Sequence, residues 1–164
     1  MLINNLLGLW EGRNGDSGYH FALSGGHGTH VEGSNCIALN EGSHAEGEGT
    51  KAFGAYSHTE GSMTKAEAPC AHAEGGHTLA SGAHSHAGGL ASKATGDGTF
   101  AHGDHVEATT KNSVVFGAYN INNDHALFII GDGIDEKSPH NAFVIEINNN
   151  KYSITIGDTV ISED

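Results

Sequence analysis

The chain is 164 residues long, enough for one domain of ordinary size, but 25 glycines and only 16% charged residues set it apart from an ordinary globule. A formal net charge of −13 argues against a nucleic-acid partner or insertion at an anionic membrane surface. No apolar run approaches the roughly 18 residues of a membrane span, so no membrane insertion is expected.

Residues 1–23 read as a lead-in. Met1 to Trp10 is apolar but lacks the basic start and small-residue cleavage site of a signal peptide. Leu2, Ile3, Leu6, Leu7, Leu9 and Trp10 suit a short helix or strand that plugs the first coil of the segment beyond residue 23. Gly12 to Gly18 is a turn-rich linker, and the alternation Tyr19, Phe21, Leu23 suits a strand entering that segment.

From 24 to 117 the chain repeats. His44-Ala45-Glu46-Gly47 recurs as His58-Thr59-Glu60-Gly61 and His72-Ala73-Glu74-Gly75, and is anticipated by His30-Val31-Glu32-Gly33, always 14 residues apart. His86-Ala87-Gly88-Gly89 and Phe100-Ala101-His102-Gly103 keep the spacing and change the side chains. Beneath the 14-residue unit lies a period of seven: a small or β-branched residue, then Gly two positions later in eleven of fourteen cases. Such glycines exclude a coiled coil, because each would cost a helix about 1 kcal/mol and no apolar seam accompanies them.

Each heptad is therefore read as a strand plus a tight corner, and two heptads as one flattened coil. Stacked at about 4.8 Å per coil, six to seven coils make a rod of roughly 30 Å. Between Asn40 and Asn112 the large apolar residues are only Phe53, Tyr56, Met63, Leu79, Leu90, Phe100 and Val106. That is too few for a conventional core, so the narrow interior is assigned to the small column Ala38, Ala45, Ala52, Ala66, Ala73, Ala80, Ala87, Ala94 and Ala101. Cys36 and Cys70 occupy different places in the repeat without metal-site spacing and read as unpaired small residues.

Residues 118–164 are conventionally β-rich. Ala126 to Ile130 is a buried-strand candidate, and Ala142–Ile147, Asn148-Asn149-Asn150 and Lys151–Ile156 read as a hairpin. This segment is the natural C-terminal cap of an open-ended roll.

Asn112-Ser113-Val114-Val115-Phe116-Gly117 resembles the head repeat of YadA-like trimeric adhesins, with its Asn-Ser-Val-Ala-Ile-Gly pattern in 14-residue units. The Ser-His-Ala-Glu-Gly variant and the tail through Asn141-Ala142-Phe143-Val144 are similar to versions in tail and appendage proteins of phages and prophages. The resemblance covers about residues 24–146 and implies an all-β, left-handed parallel β-roll assembled as a parallel homotrimer. It further implies a fibre or adhesin role, in a virion tail or at a cell surface, with a host cell-surface glycan or protein as partner.

Residues two apart share a strand face, so His44 and Glu46 point away from Ala45. The resulting column of His30, Glu32, His44, Glu46, His58, Glu60, His72, Glu74, His86, Phe100, Val114 and Phe116 is assigned to the interface between chains of the trimer. Its changeover to Phe and Val does not suit a solvated face. Lys51, Lys65 and Lys93 hold the equivalent site on the other strand class and are placed in solvent. The alternatives are a solvated His/Glu face and a transition-metal column, for which His84 and His86 are the first candidates; no other cofactor is implied. Receptor contact is assigned to the corners at Tyr56, His77, Leu90 and Asp104. No nucleophile elbow or other catalytic motif stands out, so an enzyme is not expected; a bacterial adhesin head and a polysaccharide depolymerase are the alternative functions.

Overall fold

The computed structural model describes residues 8–11 and 21–162, and among these every regular element is a β-strand. The chain winds as a parallel β-solenoid of about seven turns with a 14-residue period. One sheet stacks Phe21–Ser24, Cys36–Ala38, Lys51–Ala52, Lys65–Ala66, Leu79–Ala80, Lys93–Ala94 and Glu107–Ala108. The facing sheet stacks His30–Ser34, His44–Glu48, His58–Thr59, His72–Ala73, His86–Leu90, Phe100–Asp104 and Val114–Ala118. Register matches the repeat, with His44 beside His58, His58 beside His72, and Lys51 beside Lys65.

The strands are two to five residues long, several of them shorter than the four or five residues that the heptad suggests. Backbone pairing nevertheless runs on through the corners, where Glu48, Ser62, Gly76 and Leu90 bridge successive coils. The amides of His44, His58 and His72 each donate to a carbonyl in the next coil, on Ser57, Ala71 and Ser85, at 2.9 Å. Identical short segments thus hold one another in place, as in any quasi-one-dimensional repeat.

Two columns fill the interior. Ala38, Ala45, Ala52, Ala66, Ala73, Ala80, Ala87, Ala94 and Ala101 are all fully buried. Two residues before each position of that column comes a second one: Cys36, Ser43, Thr50, Ser57, Thr64, Ala71, Thr78, Ser85, Ser92, Thr99, Val106 and Ser113, also buried. From residue 36 to residue 115 neither column holds a side chain larger than valine. Gly61 explains the periodic glycine: its φ is 96°, and a Cβ there would lie 2.2 Å from the carbonyl oxygen of Gly75 in the next coil.

The roll extends past both ends of the 24–117 segment. Ala22 pairs with Cys36, and Gly8–Glu11 covers that edge as an antiparallel strand. The apolar Leu2, Ile3, Leu6 and Leu7 lie outside the described residues. At the other end Ala126–Asp132 pairs parallel with Val114–Ala118, again 14 residues on, so Phe128 continues the column of Val114. Only then does the chain reverse, through Asn141–Asn148, Lys151–Ile156 and Thr159–Ser162, all antiparallel. The 148–151 hairpin turns on Asn149 and Asn150, both left-handed (φ 51° and 61°), which Asn tolerates well.

Candidate functional site

The outer face of the second sheet carries the His/Glu ladder. Rings of His30, His44, His58, His72 and His86 succeed one another at centroid distances of 4.6–4.8 Å, the spacing of the strands beneath them. His44 over His58 and His58 over His72 lie nearly parallel, at 15° and 7°. The carboxylates run alongside, and their partners change along the roll. Nε2 of His44 lies 3.5 Å from Glu46 within one strand, whereas His72 approaches Glu60 at 3.7 Å and His86 approaches Glu74 at 3.2 Å, each across a coil boundary. Only the last has hydrogen-bond geometry. Nε2 of His44, His58 and His72 is shielded from solvent without a hydrogen-bond partner in the chain.

Burial, and after it the neighbouring ladder groups, shift these titrations. Burial, and then the neighbouring His44, lower the pKa of His58; burial and then His86 and His58 lower that of His72. Burial together with the flanking Glu74 and Glu46 carboxyls raises that of Glu60. For Glu74 burial pushes up, but hydrogen bonds from His86 and Glu60 and the charges of His86 and His72 outweigh it and hold it low.

The ladder ends where the repeat changes. Gly88 stands where the earlier units have Glu, and His102 takes the next place in that column. The ring of His102 leans back over Gly88, bringing Nδ1 to 3.6 Å from the same Glu74 oxygen that His86 contacts. Beyond it this face of the sheet turns apolar: Phe100, Phe116, Phe128 and Phe143 stand in series at ring distances of 5.4–6.1 Å. Val114 and Phe128 face outward in step with Phe100, and Phe116 and Ile130 are each about two-fifths exposed.

Both edges of the roll are built from left-handed corners. Tyr56, Cys70 and His84 turn one edge (φ 56–58°), and Met63, His77, Ala91, His105 and Tyr119 turn the other (φ 41–58°). Three of the four corner assignments gather on this second edge. His77 lines an open cleft of about 510 Å³ with Lys93, His105, Glu107, Tyr119 and Asn120; Leu90 precedes Ala91 in its wall, and Asp104 pairs with His105. The His105 and Tyr119 rings stack face to face at 4.8 Å in the wall of that cleft. Tyr56 stands apart on the opposite edge, 60% exposed, with its phenol beside Glu41, which raises its pKa. His84 is exposed at that edge as well, away from the ligand groups that include His86.

Two features escaped the sequence reading. The buried Ser/Thr column obeys the same two-apart rule as the ladder, and that rule applied to Ser43 and Ser57 finds it. The return of His102 to Glu74 has its signal in the single glycine at 88. Comparison with protein-family models, with curated proteins and with solved structures finds no match in any of the three.

Proposed function

We propose that this chain is a structural and adhesive segment of a parallel homotrimeric fibre, of the YadA-like kind used in phage or prophage tail appendages, and that its cleft edge contacts a host-surface glycan. One observation carries the assembly: a single sheet face bears a half-buried His/Glu ladder that passes into Phe100, Phe116 and Phe128. The occupant that fits it is another copy of this chain. Donor and acceptor columns lie side by side, so a parallel copy in register sets imidazole against carboxylate at the four His-x-Glu coils, and phenyl rings against phenyl rings beyond.

The stacked His105–Tyr119 pair lining the cleft supports the glycan reading. A sugar ring lays its apolar face on aromatic surface while its hydroxyls bond polar groups such as Asn120, Glu107 and Lys93, which line the same cleft. The role proposed is binding without turnover. Labelled protein applied to an array of bacterial surface glycans should retain at least one class, and Tyr119→Ala should release it. Retention by Tyr119→Ala equal to the parent would remove the cleft from the proposal, and product release from a retained glycan would replace adhesion with depolymerisation.

A further inference from the structure

We propose that Glu74, His86 and His102 form a binding site for one divalent transition-metal ion of the zinc class. Zinc takes imidazole nitrogen and carboxylate oxygen at about 2.0–2.2 Å in tetrahedral geometry, so adjacent ligand atoms stand roughly 3.3 Å apart. Glu74 Oε1 lies 3.2 Å from Nε2 of His86 and 3.6 Å from Nδ1 of His102, close to that edge length. All three ligand atoms lie within 4.8 Å of one another, so small side-chain rotations bring them onto one ion. Two imidazoles and one carboxylate are a sufficient protein set and leave a fourth position for water or an outside ligand.

The sequence builds this site by breaking its own repeat. Glu74 and His102 are two coils apart in one column, about 10 Å at the strand spacing, and meet only because nothing stands between them. A Cβ on Gly88 would lie 2.3 Å from His102 Nδ1 and 3.0 Å from Glu74 Oε1. Phe100 floors the site, its ring 4.7 Å from that of His86 and 6.0 Å from that of His102. The other two-imidazole group, His44 with Glu46 and His58, is a poorer chelator. Its rings are stacked nearly parallel at 4.6 Å, so their nitrogen lone pairs run side by side and do not converge. The site is complete within one chain and does not depend on trimerisation.

The test is titration of the tag-free, chelator-stripped protein with Co²⁺ and then Zn²⁺. We expect one Co²⁺ per chain with the visible bands of low-symmetry coordination, displaced by one Zn²⁺. His102→Gln and Gly88→Ala should each weaken Zn²⁺ at least as much as the roughly 10–100-fold that losing an outer partner of a metal ligand costs, while His44→Gln stays within twofold of the parent. His102 is 45% exposed, so His102→Gln is expected to fold, and an unchanged far-ultraviolet spectrum checks it. Absence of Co²⁺ bands, or Zn²⁺ affinity unchanged in both His102→Gln and Gly88→Ala, would overturn the proposal.

Discussion

Glu74 Oε1 lies 3.2 Å from Nε2 of His86, a residue in the next coil, and so ties two turns of the roll together through side chains. Lys65 and Glu67 meet at a similar 3.3 Å but within a single coil and with more than two-fifths of each side chain in water. In metal-free buffer, Glu74→Ala should cost about 1.5–3 kcal/mol, as for hydrogen bonds to charged groups. Lys65→Ala should cost about 0–1 kcal/mol. Denaturant unfolding of the two variants side by side reads the difference, and equal midpoints would contradict it.

The glycine columns make a sharper prediction. Gly61→Ala pushes a methyl into the carbonyl of Gly75 from a left-handed backbone, whereas Gly28, also left-handed (φ 70°), has open space where a Cβ would go. Gly28→Ala should therefore cost only the roughly 1–2 kcal/mol of left-handed strain. Gly61→Ala should exceed that severalfold and is expected to prevent closure of the local coils. Circular dichroism melts distinguish the two.

Inside the roll, hydroxyls differ in how they are satisfied. Ser57 and Ser85 donate back to the carbonyls of Gly54 and Gly82 at 2.7 and 2.6 Å. Thr59 and Thr64 are fully buried with Oγ1 unpartnered. Thr59→Val, nearly the same shape, should stabilise by about 1 kcal/mol because it removes a desolvated hydroxyl. Ser57→Ala should destabilise by a similar amount. Melting-temperature shifts of opposite sign are the expected outcome.

Stability should also depend on pH, with a definite sign. Burial lowers the folded-state pKa of His58 and His72 below the ordinary 6.5, so the folded chain binds fewer protons than the unfolded one in that window. Their contribution is fully present above 6.5 and is lost as pH falls from there toward the folded values. Glu60 acts in the opposite sense and at lower pH: burial first, and then the Glu74 and Glu46 carboxyls, raise its pKa, so acid relieves the cost of holding its charge in the folded chain. Melts of the Phe116→Glu chain, in which the seam is broken, should show a decline below about pH 6.5 that His58→Gln and His72→Gln together flatten; in the trimer, carboxylates set against these imidazoles oppose that decline.

Much of the fold was legible because the side-chain period and the coil period coincide. Once His44, His58 and His72 are seen 14 residues apart, their stacking results from strand spacing alone. The strand Ala126–Asp132 was harder. It keeps the register of Val114–Ala118, yet Tyr119 to His125 lacks the Lys-Ala signature of the first sheet, and no strand forms there to complete the coil. Pairing between coils also lay beyond the sequence: whether Glu60 meets His58 or His72 depends on side-chain torsions that spacing does not determine. The Glu74–His102 contact is legible only by asking what the absent side chain at Gly88 leaves open.

The assembly is the central claim, and sedimentation equilibrium tests it most directly. The account predicts three times the 16.9 kDa chain mass at neutral pH, and a monomer for Phe116→Glu, whose charge would fall on the apolar part of the seam. A parent chain that sediments as a monomer at neutral pH, with its ladder open to water, would contradict it.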